Sequence, residues 1–93
     1  VSKRRFDSVW EAIEDTPEEA ENMKLRSVLM TALKQHIARS NMTQAEAARQ
    51  LGVTQPRVSD LMRGKINLFG LDALVNMATA AGLRIEMQVL EAA

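Results

Sequence analysis

The chain has 93 residues, with 12 basic and 12 acidic side chains and no cysteine. This length makes a single domain, residues 1–93, with a modest core, since a domain of this size buries only somewhat more than ~60% of its unfolded surface. Disulfides and thiol chemistry are excluded by composition, and no apolar run is long enough to span a bilayer.

The chain begins Val1-Ser-Lys-Arg-Arg5 and runs into Phe6 and Asp7 rather than a long apolar segment. A secretory leader is therefore not expected. The missing initial methionine suggests a trimmed chain, and a cytoplasmic protein is the default expectation. Ser8 and Glu11 have capping-box spacing for a short helix carrying Val9, Trp10 and Ile13. Thr16 and Glu19 form a second box, with Pro17 at the first helical position. Apolar residues then recur at Leu25, Val28, Leu29, Ala32, Leu33 and Ile37, which predicts one long helix from about Pro17 to Ser40 with a candidate break near Asn22.

The most informative stretch is 43–64. Thr43 and Glu46 cap a helix through Ala45, Ala47, Ala48 and Leu51, whose small residues allow a second helix to approach closely. Gly52 ends it, where a positive φ is needed. Val53 returns to the core. Thr54 caps the next helix, and Pro56 in its first turn sacrifices no intrahelical hydrogen bond. Val58, Leu61 and Met62 form its inner stripe, and Arg63 and Gly64 close it. Two short helices joined by a tight glycine turn, the second with a polar tip, follow the plan of a helix-turn-helix.

After Lys65, the segment Ile66-Asn-Leu-Phe-Gly70 reads as a connector ending in an N-cap glycine. Leu71, Leu74, Val75 and Ala78 mark a helix to Ala81, stopped by Gly82. The period then changes from 3.6 to 2. Leu83, Ile85, Met87 and Val89 alternate with Arg84, Glu86 and Gln88, which predicts a strand over 83–90. A lone strand leaves its backbone groups unpaired. Pairing with the same strand of a second copy across a two-fold axis solves this; a plain surface extension is the simpler reading. The expected fold is all-α: about five helices, with a C-terminal strand pairing across a dimer.

The neutral total hides a split. Residues 1–22 carry three basic and seven acidic side chains, net −4; residues 23–67 carry eight and two, net +6; residues 68–93 carry one and three, net −2. The positive block coincides with the two-helix motif, and phosphate neutralisation by such a block supplies salt-sensitive affinity for DNA. On the open side of the second helix, Gln55, Pro56, Arg57, Ser59 and Asp60 are the candidate base readers. Gln55 suits an adenine edge, Arg57 a guanine or a phosphate, and Asp60 a cytosine amine or the rejection of a wrong register. Arg39, Thr43, Gln44, Thr54, Arg63 and Lys65 are the candidate phosphate contacts. A palindromic operator is expected, since one motif reads too few base pairs and two motifs about 34–36 Å apart read successive major grooves.

Residues 43–65 resemble the Cro/C1-type (XRE-like) helix-turn-helix of phage repressors, with Ala48, Gly52, Val58 and Leu61 at that motif's small, glycine and apolar positions. The resemblance implies a lambda-repressor-like fold. The longer run, from Phe6-Asp-Ser-Val-Trp10 through Leu25-Arg26, Thr43-Gln44-Ala45 and Gln55 to Leu61, and on to Gly64-Lys65, is similar to the HigA-like antitoxin subgroup. That resemblance implies a homodimer that represses its own operon and binds an mRNA-cleaving toxin. Phe6, Trp10 and Ile13 then become a candidate toxin-docking surface, because aromatic anchors favour binding hot spots and the local −4 charge steers a basic RNase. The plainer reading packs these three residues on the chain's own core.

No enzyme is expected. His36 is the sole histidine, nothing in the sequence arranges paired acids or metal ligands, and there is no glycine-rich phosphate loop. The six methionines read as core filler. No cofactor, metal or membrane partner is called for. Two alternatives stay open: a stand-alone phage-type repressor without a toxin, and a protein-interaction module that has lost DNA binding, which the neutral total and Asp60 on the reading face would suit.

Overall fold

A computed structural model describes residues 16–91. Four α-helices follow one another: α1 Pro17–Arg39, α2 Gln44–Leu51, α3 Gln55–Met62 and α4 Leu71–Ala80, with a 3-10 turn at Ile66–Leu68 between the last two. The short helix expected around Ser8–Ile13 lies outside the described residues.

Helix α1 starts at the predicted cap, where Thr16 Oγ1 accepts from the Glu19 N–H at 3.1 Å, and runs 23 residues without a break at Asn22. Asn41 in the left-handed region, φ 57°, turns the chain out of it, a conformation that asparagine tolerates better than most residues. The C-terminal half of α1 buries Met30, Leu33 and Ile37. Its earlier apolar turns are less covered, and Val28 is 61% exposed. The expected apolar face exists, but the domain uses chiefly its second half.

Helix α2 has both halves of its capping box, Thr43 N–H to Glu46 Oε1 at 2.9 Å and Glu46 N–H to Thr43 Oγ1 at 3.1 Å. Gly52 follows at φ 71°, and the Val53 N–H returns to the Ala48 carbonyl at 3.0 Å. Ala47 and Ala48 are buried where α2 meets α3; the absent side-chain bulk is what lets the backbones come close. Helix α4 closes the fold over α1 through buried Leu74, Met77 and Ala78. Val75, expected in the core, is on the rim at 37% exposure.

One expectation is corrected, and one lies beyond what is described: four of the five expected helices are the α-helices of residues 16–91, and the fifth, around Ser8–Ile13, falls outside the described residues. The strand over 83–90 is not formed, because residues 83–91 have no regular secondary structure. A strand exists only as one rail of a ladder, and the described residues offer no second rail. Leu83 still packs against the core, and its N–H bonds to the Ala78 carbonyl at 2.9 Å. Beyond it, no main-chain hydrogen bond ties the segment down among the described residues.

The connector 66–70 contains the largest surprise. Phe69 has no exposed surface and is the largest of the fully buried side chains among the described residues. It precedes the N-cap Gly70, and Leu74, also fully buried, sits four residues inside α4. That spacing is a hydrophobic staple, which fixes the angle at which the chain enters the helix.

Candidate nucleic-acid interface

The caps and the glycine of the motif act together to present α3. Thr54 lies in the extended region and its Oγ1 accepts from the Arg57 N–H at 3.4 Å, so α3 begins with Gln55 and Pro56 in the first turn. Val58 and Leu61 are fully buried and pin one side of the helix to the core. By helical spacing Gln55, Ser59 and Arg63 then follow one another along the other side. Gln55, Pro56 and Arg63 are exposed and Ser59 is half-buried. The helix therefore offers an open polar edge that starts at its N-terminal tip.

The other two candidate base readers are engaged within the fold. Arg57 Nη1 donates to the Leu68 carbonyl oxygen at 2.6 Å, and its guanidinium carbon lies 4.1 Å from the centre of the Phe69 ring. Asp60 Oδ1 faces Lys65 Nζ at 3.6 Å, while the Lys65 N–H bonds to the Asp60 carbonyl at 3.1 Å. Asp60 and Lys65 are partly exposed, and such pairs contribute little in water. Lys65 thus remains free to exchange its carboxylate for a phosphate at small cost.

Of the remaining candidate phosphate contacts, Arg39, at the end of α1, and Gln44, in the first turn of α2, are exposed. Thr43 and Thr54 are exposed as well, with their hydroxyls committed to capping. The main-chain N–H groups at a helix start are suited to anions. His36 on α1 is half-buried, and its Nε2 meets Gln50 Oε1 on α2 at 2.9 Å. This contact ties the first motif helix to the scaffold. Among the described residues no group of three His, Cys, Asp or Glu side chains is placed to hold a metal ion, and no helix is long and apolar enough to cross a membrane.

Phe6, Trp10 and Ile13 lie outside the described residues. Leu83, Ile85, Met87 and Val89 lie in the irregular tail. Leu83 is half-buried, whereas Met87 is 72% and Val89 85% exposed. Ile85 and Met87 join Leu25, Val28, Leu71 and Val75 along an open apolar groove between α1, α4 and the tail, with a volume of about 140 Å³. Sequence reasoning missed two other residues that position the interface. Phe69 underlies Arg57. Arg26, on α1, donates through Nη1 to the Ile66 and Phe69 carbonyls, both at 3.4 Å. The only local signal for Phe69 was an aromatic residue directly before an N-cap glycine.

The sequence pattern of the helix-turn-helix domain family matches residues 12–90. A solved structure described as a candidate XRE-family transcriptional regulator matches the fold with a TM-score of 0.73 and 31% sequence identity, over 80% of this chain and 83% of the other. No curated protein sequence matches the chain. By a family pattern that spans most of its length and a fold shared at that identity, the chain belongs to the helix-turn-helix domain family in its XRE-like form.

Proposed function

We propose that this protein is a sequence-specific DNA-binding transcriptional regulator that acts as a homodimer. In the finer reading it is the antitoxin and autorepressor of a type II toxin–antitoxin pair. The observation that carries DNA binding is the open edge of α3: Gln55 exposed at the tip, Ser59 and Arg63 behind it, and the opposite stripe sealed into the core at Val58 and Leu61. A helix held in this way enters a major groove tip first. The +6 charge of residues 23–67 supports it with phosphate affinity. Repression follows from occupancy of the promoter.

The homodimer reading rests on the tail. Residues 83–90 carry an alternating apolar set, and beyond Leu83 their backbone has no main-chain hydrogen-bond partner among the described residues. A second copy supplies both an apolar face and a matching edge, so one association satisfies the two deficits together. The same association sets two α3 helices on one face of the duplex.

The antitoxin reading draws on the charge split, with seven acidic side chains among the first 22 residues, and on Trp10 as an anchor for a basic RNase. A deletion tests it. Because α1 starts at Pro17 under the Thr16 cap, removing residues 1–15 leaves the helix and its cap intact. That deletion is expected to abolish toxin binding and spare promoter binding; loss of both overturns the reading.

The test of DNA binding is a gel-shift titration of the protein against its own promoter and against random DNA at several salt concentrations. Preference for the promoter, with affinity that falls steeply with salt, is the expected result. Equal affinity for both sequences overturns the sequence-specific regulator, and binding to neither favours the protein-interaction module.

A further inference from the structure

We propose that Arg57 is a positioning residue, which sets the angle of the reading helix from within the fold and does not itself touch a base. The inference rests on the DNA-binding reading above and assigns the residue through which that site gains its specificity.

The connector between α3 and α4 holds α3 near its N-terminal end. At the N-terminal end, the Arg57 side chain leaves the third residue of the helix, reaches the Leu68 carbonyl at 2.6 Å and lays its guanidinium over the Phe69 ring at 4.1 Å. At the C-terminal end α3 stops locally: Gly64 at φ 75° lets its own N–H reach the Leu61 carbonyl at 3.0 Å and the Lys65 N–H the Asp60 carbonyl at 3.1 Å. The connector is itself immobilised. Phe69 is sealed in the core, and Arg26 reaches across from α1 to the Ile66 and Phe69 carbonyls. Two guanidiniums from different helices thus take up three carbonyls of one short turn. The Ile66 carbonyl also accepts the Phe69 N–H at 3.1 Å; the planar Arg57 guanidinium bonds the Leu68 carbonyl while stacking on the Phe69 ring.

The consequence is geometric. Gln55 lies two residues before Arg57, at the tip, so a small change in the tilt of α3 moves Gln55 and Ser59 together relative to the base edges. Phosphate contacts from Arg39, Gln44 and Lys65 do not depend on that tilt in the same way. Loss of the Arg57 clasp should therefore blur the reading of several base pairs at once and leave the number of neutralised phosphates unchanged.

The experiment measures affinity of the full chain for its promoter site, for single-base-pair variants of that site and for random DNA, across a salt titration. The proteins are the wild type, Arg57→Ala, Arg57→Lys and Phe69→Leu. Arg57→Ala, at a half-buried position, leaves the core in place. It is expected to lower the promoter-to-random ratio roughly fivefold or more, spread over several base pairs, with an unchanged salt slope. Arg57→Lys keeps the charge and loses the planar fork, so it should not restore discrimination. Phe69→Leu removes the ring and keeps an apolar core residue; it should reproduce the same pattern, and adding Arg57→Ala to it should change little further. Loss confined to one base pair would mean that Arg57 reads a base. A salt slope reduced by about 0.9, restored by lysine, would mean that it holds a phosphate. Either result overturns the proposal while leaving DNA binding intact. A wild-type protein that does not discriminate between sites overturns the DNA-binding reading itself, and this inference with it.

Discussion

Phe69 and Leu74 bracket the start of α4, one just outside the helix and one a turn inside it, and neither has any exposed surface. The pair joins the connector to the helix that closes the fold. The Phe69 ring also supports Arg57, so one buried side chain serves both the core and the motif. Phe69→Ala is expected to destabilise the domain by about 3–5 kcal/mol, the range for truncating a buried phenylalanine. In a chain of this size that is a large part of the total stability. Urea denaturation followed by circular dichroism reads the shift. A loss below about 1 kcal/mol would mean that the site collapses around the gap and that the staple carries little.

Gly52 makes a different prediction, because its constraint is in the backbone. It sits at φ 71°, and a Cβ built there meets nothing within 4 Å. Gly52→Ala should therefore cost about 1–2 kcal/mol from the left-handed conformation alone, with no steric clash to add. Gly52→Asn should cost less, since asparagine visits this region more readily. The same denaturation measurement ranks the three proteins. Equal losses for alanine and asparagine would locate the cost outside the backbone angle.

The difference between these two sites explains what could be read from the sequence. Caps and stops are local chemistry. Thr43 with Glu46, Gly52, Thr54 with Pro56, and the Thr16 cap with Pro17 each act within four residues, and all appear in the structure where their spacing placed them. Periodicity fixed which face of α1 is apolar but not what covers it, and so Val28 came out exposed. Phe69 was hidden because its burial depends on helices distant in the chain. The contacts of Arg57 within the fold were not legible, because its partners are a carbonyl 11 residues away and a ring beyond it, a relationship with no signature in residue spacing. The tail alternates like a strand, yet a strand is a property of two segments, and the described residues carry only one of them.

Capping gives a graded pair. Thr43 belongs to a reciprocal box with two hydrogen bonds of 2.9 and 3.1 Å, whereas Thr54 contributes a single bond of 3.4 Å. Both threonines are exposed, so replacement by alanine removes the cap without opening a cavity. Thr43→Ala should cost about 1–2 kcal/mol and Thr54→Ala about 0.5–1 kcal/mol, within the measured span for such caps. Thermal melts of the two variants test the order. A larger effect at Thr54 would show that the first turn of α3 depends on its hydroxyl more than the bond length suggests.

The open edge of α3 separates two kinds of DNA contact. Gln55 presents a carboxamide that can pair with an adenine edge, and Gln55→Ala should cost about 1–3 kcal/mol at one base pair and little elsewhere. Arg63, exposed at the other end of the helix, should act on the backbone. Arg63→Ala is then expected to weaken all sequences alike and to reduce the salt slope by about 1. Competition binding against single-base variants checks the first, and a salt titration checks the second. If Gln55→Ala left the promoter-to-random ratio unchanged, Gln55 would have no part in reading.

The dimer prediction turns on Met87, which is 72% exposed in one copy and lies on the apolar side of the alternating tail with Ile85 and Val89. A charge at this position would have to be buried between copies, at a cost that a neutral exposed tail does not meet. Met87→Asp is therefore expected to convert a dimer into a monomer at micromolar concentration in sedimentation equilibrium, with the helical circular dichroism signal retained. Gln88→Asp, on the polar side of the same alternation, serves as the control and should leave the dimer intact. Because two reading helices are needed to span successive grooves, the Met87→Asp monomer should also lose promoter preference while keeping its salt-sensitive affinity for random DNA. A Met87→Asp protein that sediments like the wild type would remove the tail from the interface and place the two-fold contact elsewhere on the surface.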